Sequence, residues 1–174
     1  RCEELPEFAF GVEICEDLWA PDPPSIALAA SGATVICNLS ASNDLIGKGA
    51  YRRSLVAAQS ASLLCGYVYA SAGDGESTSD VVFGAHRLVA ENGVMLAESR
   101  FESGLTISEI DVKKLENERR RTQIFERTAA SAQNECAFSM KLRNTELTRR
   151  VPSAPFVPAD RNDRAARCDE ILHI

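Results

Sequence analysis

Two rhythms of apolar and polar positions run along the chain, and the switches between them mark out the predicted elements. Phe8-Ala-Phe-Gly-Val-Glu-Ile-Cys15 is an apolar, strand-like run that ends at the acidic pair Glu16-Asp17. Asp22 followed by Pro23 has the form of a helix N-cap with proline at the first helical position, opening an alanine-rich helix that stops near Gly32. Ala33-Thr-Val-Ile-Cys-Asn-Leu39 is short and rich in β-branched residues, the pattern of a strand buried on both faces. After the polar loop from Ser40 to Lys48, a helix is predicted over 50–65 with Ala57, Ala58, Ala61, Leu64 and Cys65 on one face and Gly66 as its cap. Gly66–Ala70, Asp80–Phe83, Arg87–Ala90 and Val94–Ala97 read as strands, with Asn92-Gly93 a hairpin turn between the last two. A further short strand, Gly104–Ile110, precedes a charged helix from about Val112 to Arg127. Strand, helix, strand, helix and then several strands predict an α/β layered fold with helices packed on a sheet.

From about Thr128 the character changes. Pro152, Pro155 and Pro158 recur every third residue, which favours an extended, polyproline-like connector. Asp160 is then placed to cap a helix carrying Ala165, Cys168, Ile171 and Leu172 on one face, a face left unfinished at Ile174. Arg1-Cys-Glu-Glu bears no start signal either, so the expectation is an interior piece of a longer polypeptide, cut at both ends.

The 174 residues suit one medium domain or part of a larger one, and a folded chain of this size buries roughly 70% of its unfolded surface. Nineteen Lys and Arg against 25 Asp and Glu, a net charge of −6, give no electrostatic footprint for nucleic acid or an anionic membrane. No window has the roughly 18 apolar residues needed to span a bilayer, and Arg1–Phe10 lacks the apolar core of a signal peptide. Cysteines at 2, 15, 37, 65, 136 and 168 are widely spaced without a C-x-x-C pair, the usage of reduced thiols in a cytoplasmic protein. With only His86 and His173 available, and neither at ligand spacing from a cysteine or carboxylate, no metal site is expected.

The sharpest local chemistry is Cys15, a thiol at the end of a strand just before a turn, where α/β folds display reactive groups. On spacing alone the commoner case is a small, buried, inert thiol. Asn38-Leu-Ser-Ala-Ser-Asn-Asp-Leu-Ile-Gly-Lys48 gathers hydroxyls, amides and one ammonium. It lies beside Cys15 if the first two strands are parallel neighbours; the plain alternative is an Asx or Ser turn and helix cap. Asn38-Leu-Ser40 also matches a glycosylation sequon, set aside because nothing indicates secretion. Gly73-Asp-Gly-Glu-Ser-Thr-Ser79 is glycine-rich but is not a phosphate loop, since no G-K-[ST] follows. Ser79, Asp80 and His86 supply the residue types of a triad, although a histidine near an apolar strand is more often structural. The helix at 113–127, with six basic and three acidic residues, reads as a solvated face or a subunit contact.

Taken together, G-V-E-I-C-E-D-L-W-A-P (11–21), N-L-S-A-S-N (38–43), I-G-K (46–48), Y-R-R (51–53), Y-V-Y-A-S-A-G-D-G-E-S-T-S-D (67–80) and A-E-N-G-V-M-L-A-E-S (90–99) resemble the glutaminase domain of the glutamine-dependent NAD synthetases. That family lies in the carbon–nitrogen hydrolase, or nitrilase, superfamily. The resemblance runs from about Phe8 to Arg127, and P-F-V-P-A-D (155–160) resembles the connector into the synthetase domain. It implies the C-terminal part of a nitrilase-type α-β-β-α sandwich followed by a linker. The implied boundaries are a partial carbon–nitrogen hydrolase domain over 1–127, a connector over 128–159, and the first helix of a synthetase domain over 160–174.

The resemblance further implies that Cys15 attacks the side-chain amide of glutamine, forms a thioester and releases ammonia. The backbone N–H of Glu16 would stabilise the oxyanion. Ser42 and Lys48 fall where the family's glutamine-pocket loop lies, which implies contacts with the amino-acid end of the substrate. In the family a glutamate and a lysine that activate the thiol precede it by many residues, whereas fourteen precede Cys15 here. They are therefore expected outside this chain, and Glu3, Glu4, Glu13 and Lys48 are not substitutes for them. No S-G-G-x-D-S pyrophosphate loop is present, so ATP and magnesium are expected to serve a synthetase domain beyond this chain. The expected partners are glutamine, the remainder of the parent polypeptide and further copies in a homo-oligomer, with the piece inactive alone. A free-standing amidase and a non-catalytic interaction fragment are the alternatives.

Overall fold

The computed structural model describes residues 1–122, 125, 135–149, 151, 153, 154 and 156–173, with Asp74 by its backbone only. Pro152, Pro155, Ile174, most of 123–127 and the stretch 128–134 lie outside the described residues, and with them parts of the expected helix end and connector. The chain forms two compact units, Arg1–Asn144 and Thr145–Ile174.

The first unit is built on a five-stranded mixed sheet of β1 Phe10–Ile14, β2 Val35–Ser40, β3 Gly66–Ser71, β4 Arg87–Glu91 and β5 Val94–Ser99, in that spatial order. β1, β2 and β3 are parallel, whereas β4 and β5 return antiparallel. Parallel neighbours need a crossover, and α1 Pro24–Ala30 and α2 Lys48–Ser62 supply the two. The helix-facing side carries the core, with Leu18, Ile36, Val56, Tyr67, Tyr69 and Leu88 almost wholly buried. Gly11 is required beneath α1, because a Cβ there would meet Leu28 Cδ1 at 2.9 Å. The other side is open along β1, where Phe10, Val12 and Ile14 alternate outward with Gly11 and Glu13.

Several predicted details shift. α1 begins at Pro24, with Pro23 rather than Asp22 at the N-cap, since a residue before proline is held out of the helical region. The buried stripe of α2 is Gly49, Arg52, Val56 and Ser60, and Ala58 and Ala61 face solvent. A charged residue lies in the stripe the apolar pattern should have marked. Leu64, at φ +45°, takes the left-handed position after α2, and Gly66 is the first residue of β3 instead of a cap. β2 is not covered on both faces to its end, for Leu39 is exposed.

Asp80–Phe83 is no strand. Its backbone bonds locally, Thr78 Oγ1 and Ser77 Oγ accepting from Val81 and Phe83, while Val82 O accepts from Asp44 N–H at 2.7 Å. Gly104–Ile110 is irregular as well, with Leu105 and Ile107 exposed. The Asn92-Gly93 hairpin turn forms as predicted, both residues at positive φ. Asp111 caps α3 Val112–Arg121 by accepting from Lys114 N–H. Residues 135–140 bond back to the chain start: Phe138 bridges Cys2, and Arg1 donates its terminal amine to Cys136 O.

The second unit contains α4 Arg161–Leu172. Asp160 is its N-cap, accepting from the N–H groups of Asn162 and Asp163, as the sequence predicts. No helix among the described residues is long and apolar enough to cross a membrane.

Candidate active site

β1 ends one residue before Cys15, and there the chain breaks into a single 3-10 stretch, Cys15–Trp19. Cys15 itself sits at φ +48°, a left-handed conformation that a non-glycine residue adopts only where its surroundings enforce it. Two bonds enforce it: Ile14 N–H donates to Asp17 Oδ2 at 2.7 Å, and Asn38 Nδ2 donates to Cys15 O at 3.4 Å. The turn lifts the thiol off the sheet into a cavity of about 560 Å³ lined by Cys15, Glu16, Trp19, Ser42, Asn43 and Lys48 among others. Cys15, Glu16, Ser42 and Lys48, the four residues to which the resemblance gives roles, therefore line one pocket. β1 and β2 are the parallel neighbours this required.

The loop after β2 is held from behind. Arg52, 1% exposed, donates from Nη2 to Ser42 Oγ at 3.3 Å and to Asn43 O at 3.4 Å. Its Nη1 meets His86 Nδ1 at 2.9 Å, and His86 Nε2 meets Glu98 Oε1 at 3.1 Å. Burial pushes the imidazole below its ordinary range; Glu98 pulls upward and Arg52 adds to the depression. His86 is thus a loop support, while Ser79 and Asp80 are exposed, so these three form no triad. Lys48 opens α2 and donates to Asn43 Oδ1 at 2.5 Å, with its ammonium 5.6 Å from the Trp19 ring, which stacks on Tyr51.

Beneath Cys15 lies Glu13, 2% exposed. It accepts from Ser25 N–H at 2.9 Å, satisfying a free donor in the first turn of α1, and from the Tyr67 hydroxyl. Burial, and then this bond to a carboxylate, push the Tyr67 hydroxyl far up, so it stays a proton donor. Both carboxylate oxygens are occupied by the fold. Asn38 is 1% exposed, which removes the glycosylation motif from consideration.

Burial raises Cys37 and pushes Cys65 up to about 12, keeping both protonated, and neither lines this cavity. Arg52 lay inside the quoted Y-R-R motif without a role, because one of two adjacent arginines reads as surface, although its helical spacing to Gly49, Val56 and Ser60 was available. Trp19 and Asn43 were inside the quoted motifs without a role. Among the described residues, no group of three or more His, Cys, Asp or Glu is disposed to hold a metal.

Comparison with known proteins places this geometry. The sequence model described as carbon-nitrogen hydrolase matches residues 3–120. The glutamine-dependent NAD(+) synthetase of Mycobacterium bovis is 40% identical over 182 aligned residues, which cover 98% of this chain and 27% of that protein. The chain thus spans about a quarter of the length of the curated relatives it matches. A carbon-nitrogen hydrolase from Helicobacter pylori G27 superposes with a TM-score of 0.58 over 70% of this chain and 46% of its own, at 17% identity. The glutamine-dependent NAD+ synthetase from Acinetobacter baumannii gives 0.56 over 62% of this chain and 20% of its own, at 24% identity. Those two likenesses establish the fold, and the motifs from Gly11 to Ser99 lie inside the matched span. By its sequence match and by the sheet that carries Cys15, the chain belongs to the carbon–nitrogen hydrolase family.

Proposed function

We propose that this chain is the nucleophile-bearing, glutamine-hydrolysing part of a glutamine-dependent NAD synthetase. The observation that carries the reading is the lifting of Cys15 out of β1 into a cavity it shares with Glu16, Ser42 and Lys48. As thiolate, Cys15 Sγ attacks the side-chain amide carbon of glutamine: the S–C bond forms and the carbonyl oxygen becomes an oxyanion facing the Glu16 N–H. Collapse breaks the C–N bond, and the nitrogen leaves as ammonia after taking up a proton. Water then cleaves the thioester to glutamate and free thiol. Ser42 and Lys48 receive the amino-acid end of the substrate, and Arg52 keeps Ser42 in place.

In this reading the glutamate and lysine that activate the thiol belong to parts of the parent protein outside this chain, so the chain alone does not turn over glutamine. ATP and magnesium serve the amidation of deamido-NAD in the synthetase half, and no residue here is assigned to them. The open apolar side of the sheet is where the second layer of an α-β-β-α sandwich would lie, and in this reading the chain is the C-terminal part of that sandwich, followed by the linker into α4. A reducing cytoplasm suits a thiol nucleophile, and copies of the parent associate. Treating the full-length protein with a glutamine-like diazoketone tests the assignment: one adduct mapped to Cys15 supports it, and an adduct elsewhere or none overturns it.

A further inference from the structure

The ends of β2 and β3 hold one more pair of polar side chains aimed at the thiol. Ser40 Oγ lies 3.4 Å from Cys15 Sγ, and the Tyr69 hydroxyl lies 2.7 Å from Ser40 Oγ. Tyr69 is 1% exposed, so water does not compete for its proton. Asn38 pairs with Glu13 on one side and with Tyr69 on the other, and these positions lie on the helix-facing side, which sets Ser40 beneath the turn at Cys15. A thiolate can only accept hydrogen bonds. Once Cys15 ionises, the chain therefore runs one way: Tyr69 O–H donates to Ser40, and Ser40 O–H donates to sulfur.

Resting on the assignment of Cys15 as nucleophile, we propose that Ser40 is a catalytic residue that hydrogen-bonds the Cys15 thiolate, and that Tyr69 is the positioning residue that points the Ser40 proton at it. The relay uses no ionised group. It is built into the sheet, independent of whatever base removes the thiol proton, and its function is to enlarge the fraction of Cys15 present as thiolate and to aim it at the cavity. Ser40 was legible in the sequence only as one hydroxyl of a polar loop, since nothing in the pattern sets it against Tyr69.

The consequence has two signs, which separates it from a loss of structure. A donor to sulfur raises the thiolate fraction but dulls each thiolate, because nucleophilicity falls with basicity at a slope of about 0.4–0.5. Ser40→Ala is expected to alkylate about threefold more slowly at neutral pH and about threefold faster on the alkaline plateau. The two pH–rate curves therefore cross.

The experiment measures iodoacetamide alkylation of Cys15 against pH in the full-length protein, read by peptide mass so that other cysteines do not contribute. Ser40→Ala is expected to show the crossing, Tyr69→Phe a smaller displacement in the same direction, and Ser40→Thr, which keeps the hydroxyl, a return toward the parent curve. Superimposable curves for Ser40→Ala and the parent overturn the proposal, as does uniform slowing at every pH. Diazoketone labelling of the unmutated protein runs alongside: absence of Cys15 labelling there defeats the nucleophile assignment itself, whereas normal labelling with unchanged alkylation curves defeats only the relay.

Discussion

Arg52 Nη1 lies 2.9 Å from His86 Nδ1, and because a guanidinium only donates, that contact decides the histidine tautomer. Nδ1 must be unprotonated, so the proton sits on Nε2 and is donated to Glu98 at 3.1 Å. A neutral imidazole is thereby built into the support of the loop that carries Ser42.

Stability should depend on pH through this residue. Burial lowers the folded-state value of His86 below its ordinary 6.5, so the unfolded chain binds more protons between the two values. The contribution is fully present above 6.5 and is lost as pH falls from there through the lower folded-state value. Glu98 is itself lowered from 4.5, so its contribution is lost as pH falls from 4.5. Thermal unfolding of the parent between pH 5 and 7.5 should show melting temperature rising with pH, and His86→Gln should flatten that slope. An unchanged slope in the variant would assign it elsewhere.

Removing the arginine is the harsher change. Arg52→Met leaves Ser42 Oγ and His86 Nδ1 buried without their donor, a loss on the order of 3 kcal/mol. Urea unfolding measures it, and a loss below about 0.5 kcal/mol would mean that the guanidinium does not hold the loop.

Glu13 offers a control on the chemistry. Its oxygens are bonded to Ser25 N–H and the Tyr67 hydroxyl, so Glu13→Ala should lower stability by about 2–4 kcal/mol. Glu13→Gln keeps one acceptor oxygen and should retain diazoketone labelling of Cys15 in the full-length protein. Loss of labelling in a folded Glu13→Gln protein would give this carboxylate a chemical role that its geometry does not suggest.

How much was legible follows from the same residues. The strands expected to end at Cys15 and Leu39 announced themselves because buried parallel strands are short apolar runs, and the family resemblance implied roles for Cys15, Glu16, Ser42 and Lys48, which line one pocket. The face of α2 was misread because its core stripe contains Arg52 and Ser60, whose burial depends on partners 34 and 5 residues away in sequence, His86 and the Cys65 carbonyl. Asp80–Phe83 was misread for a related reason: its backbone bonds to loop hydroxyls and to Asp44, and pattern alone does not report where a backbone bond goes.

The open side of the sheet carries its own consequence. Val12 is 48% exposed, Ile14 65% and Leu39 57%, on adjacent parallel strands. An apolar patch of this kind drives association. The 174-residue chain in isolation should sediment as a concentration-dependent assembly, and Val12→Lys with Leu39→Lys should shift it toward monomer. An unsubstituted 174-residue chain that stays monomeric at all concentrations would contradict this expectation.

The central claim is that Cys15 liberates ammonia from glutamine for a synthetase reaction, and the most direct measurement is the Cys15→Ala form of the full-length protein assayed with glutamine and, separately, with ammonium. Glutamine-driven product formation should fall by at least about a thousandfold while ammonium-driven formation persists. Glutamine-driven formation surviving at the parent's rate would contradict the account.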